Sequence, residues 1–238
     1  MTALQEWFRG IDLSRVIDWL LFALAALGAI SVHESSHALC AHWLGDDTAK
    51  RMGRISLNPL HHLDPTGFVL MILVHFGWAR PVPVDMRRFK NPKLGMAATA
   101  LAGPLSNVLL ALISAFVYCL LFYLSAPATQ RMLNGAAAPS GLAYYIVRFF
   151  LICMSLNAGL AVFNLIPISP LDGSKILGIL LPAKAYYTLM RYERYGMMLL
   201  VLLLLVGALD GPLQLLQQGL VDGLLAVSEP VAYAIAGA

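Results

Sequence analysis

The segment Trp19–Leu44 reads WLLFALAALGAISVHESSHALCAHWL, an unbroken apolar run whose second half holds His33, Glu34, Ser35, Ser36 and His37. Its 26 residues extend about 39 Å as an α-helix, enough to cross a hydrocarbon core of roughly 30 Å. The whole chain shares this character. Of its 238 residues, 59% are hydrophobic and 12% charged, and the mean hydropathy is +0.74. A soluble domain has about 45–50% apolar and about 25% charged residues, so that class is excluded. A net charge of +3 without a long basic run also excludes a disordered chain and a nucleic-acid binder. Membrane lipid is the expected surrounding.

Working outward, Met1–Ile17 carries Glu6, Asp12 and Arg15, and no cleavage site follows, so the first span is expected to be retained. Gly45–Pro65 is polar, with Lys50, Arg51 and Arg54, and Arg54–Asn58 (RISLN) reads as a short strand or hairpin. Thr66–Ala79 has only 14 residues and reads as re-entrant. That keeps the second basic loop, with Arg80, Arg87, Arg88, Lys90 and Lys93, on the same face as the first. Leu94–Ala126 exceeds one straight crossing, and a break at Gly103–Pro104 leaves a span of Pro104–Leu124. Ser125–Gly141 is external, and Phe149–Ile166 returns. Asp172–Leu181 stays near the inner face, and Tyr195–Leu209 exits. Leu213, Leu216, Leu220 and Leu224, at helical spacing among glutamines, suit an interfacial helix.

The fold expected is therefore an all-α polytopic membrane protein with about four full transmembrane helices, a re-entrant segment, a short strand or hairpin and a C-terminal interfacial helix. It forms one domain over residues 1–238, with a core at 19–182 and the last span and interfacial helix at 191–227. Cys40, Cys119 and Cys153 all lie in apolar stretches and read as buried thiols rather than a disulfide framework.

His33-Glu34-Ser35-Ser36-His37 is an H-E-x-x-H sequence. Residues four apart share a helix face, so both imidazoles reach one zinc ion with Glu34 beside them as a general base. A polar face of a surface helix is the plain alternative, but a charged group within a span costs roughly 2–3 kcal/mol or more and is functional by default. Counting back from Gly45 puts the histidines about 12–18 Å below the inner face. A catalytic zinc takes three protein ligands and keeps a position for water. His42 points away from both histidines, which leaves Asp64, His61, His62, His75, Asp172 and Glu193. Topology favours Asp172, which follows a descending helix in a Pro-rich turn, although Asp172 also suits the N-cap of the helix after it.

Four segments together resemble the site-2 protease family of intramembrane zinc metalloproteases: HESSHALCAHWLGD (His33–Asp46), GRISLNPLHHLDPTG (Gly53–Gly67), AGPLSN (Ala102–Asn107) and FNLIPISPLDGSKIL (Phe163–Leu177). The resemblance covers about residues 19–182 and is to the compact prokaryotic branch without a PDZ domain. It implies one Zn2+ per chain with ligands at His33, His37 and Asp172, and Glu34 as the base that activates water. Asn107 matches the polar residue of a G-x-x-x-N segment that lies near the catalytic centre, where it assists the oxyanion or glues the bundle. Asn164 is a turn-stabilising or catalytic residue. Ser169 stands where many relatives have a second proline.

The function so implied is hydrolysis of peptide bonds in single-span membrane proteins, in the cell membrane, with the active site nearer the cytoplasmic face. The competing readings are a metal or proton transporter and a catalytically silent scaffold. His61, His62 and Asp64 read as a hydrogen-bonded loop, His75 as a satisfied buried histidine, and Glu193 as part of a surface ion pair.

Overall fold

A computed structural model describes residues 13–67, 69, 80–137 and 140–237. The helices named here are α1 (Leu13–Trp43), α2 (Thr48–Arg51), α3 (Pro92–Leu124), α4 (Pro127–Leu133), α5 (Leu142–Asn164), α6 (Asp172–Leu177), α7 (Ala183–Arg191), α8 (Glu193–Leu205) and α9 (Asp210–Ala236). Of these, α1, α3, α5 and α9 are long and apolar enough to cross a bilayer. α3 stands at the centre, packed on α1, α5, α9 and α6.

Local chemistry sets the helix ends. α1 stops where the chain turns at Gly45 (φ 104°): the Gly45 N–H donates to His42 O at 3.0 Å and the Asp46 N–H to Ala41 O at 2.9 Å, a Schellman closure of the last turn. α3 begins with Asn91, whose side chain accepts from the Leu94 N–H at 3.3 Å, followed by Pro92 in the first turn. Between the helices small residues dominate. Ala25, Ala26, Ala29, Ala38 and Ala41 are buried along α1, and Ala111 and Ala115 of α3 meet Met154 and Ala158 of α5 and Leu224 of α9. Lipid tails are as apolar as leucine, so association depends on this close backbone approach rather than on removal of apolar surface from water.

The all-helical membrane architecture stands, with three corrections. First, Arg54–Asn58 is not a strand. Its polar groups are taken up locally: Ser56 O accepts from Ser35 Oγ at 2.5 Å and from His62 Nε2 at 2.7 Å, and Asn58 Oδ1 accepts from the Leu60 N–H at 3.1 Å to cap a short 3₁₀ turn. No strand occurs among the described residues. Second, α3 is continuous through Gly103–Pro104. Proline removes one helical hydrogen bond, a loss that packing on both sides of a 33-residue helix tolerates. Third, the fourth long apolar helix is Asp210–Ala236, where an interfacial helix was expected, whereas Tyr195–Leu209 falls in the 13-residue α8, about 20 Å long. Glutamines suggested an interfacial face, and one of them, Gln217, donates through Nε2 to the Ser155 carbonyl of α5 at 3.0 Å, linking the two helices. The re-entrant segment expected at Thr66–Ala79 lies, beyond its first residues, outside the described residues. Cys40, Cys119 and Cys153 are all free thiols.

Candidate metal centre

His33 and His37 sit one turn apart on α1 with both side chains buried. They press on α3 where Gly103 leaves room: a Cβ there would lie 2.5 Å from His37 Nε2 and 2.6 Å from His33 Cε1. Asp172 begins α6. It does not cap that helix, since Leu171 holds the N-cap position without a side-chain bond, and its carboxylate turns instead to the imidazoles. Gly173 permits this placement, because a Cβ would run into the Leu165 and Ile166 carbonyls at the end of α5.

The far nitrogen of each ring is held. His37 Nδ1 lies 2.7 Å from the Thr99 carbonyl, which only accepts, so Nδ1 carries the proton and the Nε2 lone pair faces inward. His33 Nδ1 lies 2.5 Å from Asn107 Oδ1, and Asn107 Nδ2 donates to Asn157 Oδ1 at 2.8 Å. The two Nε2 atoms are 3.0 Å apart, and each is 3.2 Å from Asp172 Oδ2.

Three electron-rich atoms thus converge, an arrangement that is repulsive until a cation sits among them. A tetrahedral zinc with bonds of about 2.0–2.1 Å sets its ligands about 3.3 Å apart, and two nitrogens plus one oxygen match a catalytic site rather than a closed structural one. Among the described residues, His33, His37 and Asp172 form a group whose ligand atoms lie close enough to share one ion.

These residues open onto a cavity of about 320 Å³. Glu34, Lys175 and Glu193 give it polar walls, and Pro81, Val82 and Val84 an apolar one. Lys175 Nζ is 3.8 Å from Asp172 Oδ1, the carboxylate oxygen turned away from the imidazoles. Glu193, expected in a surface ion pair, therefore borders the site.

The remaining sequence candidates lie elsewhere. His42 pairs with Asp47 at 2.6 Å. His61 Nδ1 donates to Gly53 O at 3.0 Å, buried His62 donates to Ser56 O, and Asp64 Oδ1 accepts from the Gly67 N–H at 2.9 Å, which is the hydrogen-bonded loop the sequence suggested. Burial lowers the His62 pKa and keeps its imidazole neutral. His75 lies outside the described residues. Ser35 ties this loop to α1, while Ser36 Oγ bonds back to Val32 O at 2.7 Å. Asn164 Nδ2 donates to Leu160 O at 3.0 Å within its own helix and also lines the cavity.

Sequence reasoning missed Asn157, the Thr99 carbonyl and Lys175. A solitary asparagine inside the apolar run of α5 was the available signal for the first, as an interhelical hydrogen-bonding residue. The carbonyl carried no signal at all.

A buried His–His–carboxylate cluster at one end of an apolar helical bundle is a candidate metal centre, and the comparisons give the class of protein, a membrane metalloprotease. The model of Peptidase family M50 matches residues 21–207, and the chain belongs to that family. It is 41% identical over 175 residues, 74% of this chain and 75% of the other, to a Bacillus subtilis (strain 168) protein named "Putative zinc metalloprotease YwhC". No solved structure matches. The protein is a multi-pass membrane metalloprotease.

Proposed function

We propose that this protein is an intramembrane endopeptidase that uses one zinc ion, held by His33 Nε2, His37 Nε2 and Asp172 Oδ2, to cleave peptide bonds of single-span membrane proteins. The observation that carries this reading is the triangle of three ligand atoms 3.0–3.2 Å apart on a cavity within a membrane bundle. Zinc bound there supplies Lewis acidity, which polarises a carbonyl and makes a water acidic enough to lose its proton near neutral pH. Glu34, half-buried on the cavity wall beside His33, takes that proton at its carboxylate and returns it to the leaving amine nitrogen. Asn107, fully buried with both ends of its amide engaged, acts by holding the His33 ring rather than by touching the substrate. Lys175 and Glu193 join Glu34 in giving the cavity polar walls that suit water and a polar backbone.

The cytoplasmic side is assigned from charge. Twelve of the 16 Lys and Arg residues lie in the segments 45–94 and 165–195, whereas Arg131 is alone between α3 and α5. This asymmetry supports a cell-membrane protein with its site toward the cytoplasm.

The test is cleavage of a single-span substrate in detergent by wild type, Glu34→Gln and chelator-treated enzyme. Both treatments are expected to abolish cleavage, Glu34→Gln with zinc retained. Cleavage surviving both would refute the mechanism, and stoichiometric zinc without cleavage of any membrane substrate would favour a transporter.

A further inference from the structure

We infer that Asn157 is a positioning residue that sets the protonation side of His33 through Asn107, and so determines whether the centre can accept a cation. The inference rests on the zinc reading above but derives from a chain of hydrogen bonds that begins outside the site. Asn157 Nδ2 lies 2.8 Å from the Cys153 carbonyl, and a carbonyl only accepts. The Asn157 amide is thereby oriented with Oδ1 toward Asn107. Asn107 must then donate through Nδ2, at 2.8 Å, which turns its own Oδ1 to His33 Nδ1 at 2.5 Å. His33 is left protonated on Nδ1 with the Nε2 lone pair directed at His37 and Asp172.

Each link is closed to water. Asn157 is 3% exposed and Asn107 0%, so no solvent molecule replaces a lost partner. Without the Asn157 oxygen, the Asn107 amide has no fixed sense and turns over, presenting its NH2 group to His33 Nδ1. The proton then moves to Nε2 and points into the centre, where it opposes a cation. His37 needs no such relay, because a backbone carbonyl fixes it directly. The centre thus has one imidazole oriented by main chain and one oriented through two side chains on two other helices.

The decisive variants are Asn157→Leu, which removes acceptor and donor while keeping the branching of the side chain, and Asn157→Asp. Burial keeps that Asp protonated, so it still donates to Cys153 O and still accepts from Asn107. Two readings are needed. In 15N spectra of histidine-labelled, metal-free protein in detergent, His33 is expected as the Nδ1-protonated tautomer in wild type and Asn157→Asp, and as the Nε2-protonated tautomer or a mixture in Asn157→Leu. In chelator competition with Zn2+ alone, Asn157→Leu is expected to bind about 10-fold more weakly and Asn157→Asp within about 2-fold of wild type, the scale of ligand-orienting partners. Co2+ absorption spectra should separate the variants in the same order.

An unchanged His33 tautomer in Asn157→Leu overturns the relay, as does equal weakening by Leu and Asp, which would mark Asn157 as bundle glue only. Should wild type bind no zinc while the tautomer still switches, the zinc reading fails and the relay stands.

Discussion

The bundle carries polar side chains at both ends, and they are wired differently. At the outer end, Asp18 of α1 and Arg148 of α5 form a partly exposed pair at 3.7 Å, and Tyr123 of α3 donates to Glu229 of α9 at 2.5 Å. Each acceptor there lies opposite a donor or a cation, Asp18 Oδ1 and Arg148 Nε attracting each other without a hydrogen bond. At the other end, His33, His37 and Asp172 face one another with three acceptors, and their donors are turned outward to Asn107 and Thr99. Both clusters pay for removal from water, so polarity within a span does not by itself mark a functional site. The direction of the lone pairs does: matched pairs hold helices together, and convergent acceptors need a cation.

The sharpest way to break this contrast is to remove an acceptor from the inner cluster. His37→Ala or Asp172→Asn is expected to abolish stoichiometric zinc, measured by metal analysis of purified protein, and to abolish cleavage; retained zinc at wild-type affinity would end the assignment. Glu34→Gln should lower kcat/KM by about 100- to 10,000-fold, the range of general acid–base catalysis, with zinc content unchanged. Gly103→Ala, whose Cβ would sit 2.5 Å from His37 Nε2, should weaken zinc binding by about 10- to 100-fold. Its helix content by circular dichroism should be that of wild type, and undiminished affinity would show that the imidazoles are not held against α3.

A third cluster sharpens the comparison through pH. Asp46 is fully buried and accepts from the Thr48 hydroxyl at 2.5 Å and the Asp85 N–H at 2.7 Å, joining the end of α1 to the loop before α3. Burial alone would raise its pKa, but these donors and Arg88 lower it overall. A depressed carboxylate stabilises the fold above its unfolded value near 3.9 and ceases to do so as pH falls through the lower folded value. The thermal stability advantage of wild type over Asp46→Asn should therefore be constant from neutral pH to about 5 and shrink below about 4. A gap that persists to pH 2 would show that the ionised carboxylate is not what ties the loop.

The smallest effects belong to the outer end. Tyr123→Phe and Asp18→Asn should each cost about 1 kcal/mol or less in unfolding experiments, with zinc content and cleavage unchanged. A fall in zinc affinity in either would erase the distinction between the two ends.

The metal cluster was legible to different depths. His33 and His37 follow from helical spacing alone, because residues four apart share a face wherever the helix goes. Asp172 is remote in sequence, and spacing left it shared between a ligand and a helix cap; the close packing of Gly173 on the end of α5 goes with a carboxylate turned to the imidazoles rather than to the helix end. Asn107 was visible through its motif, but its direction depends on Asn157, a residue on another helix that no periodicity connects to it. The strand at Arg54–Asn58 misled because β-propensity describes a half-buried surface, and here side chains of α1 and His62 took the Ser56 carbonyl first. The fourth helix long enough to cross a bilayer is α9 rather than α8, because the leucine run of α8 is more apolar but stops after 13 residues.

Composition and periodicity by themselves determined that the chain is a helical membrane protein, where α1 lies, and that two histidines and a glutamate sit together within it. Those are properties of neighbours along one helix, set by 3.6 residues per turn and by the requirement that backbone polar groups be satisfied inside lipid. The third ligand atom, the sense of each imidazole and the way α3 runs unbroken past Gly103 were decided only when four helices packed, because each depends on groups far apart in the chain whose approach no local rule encodes.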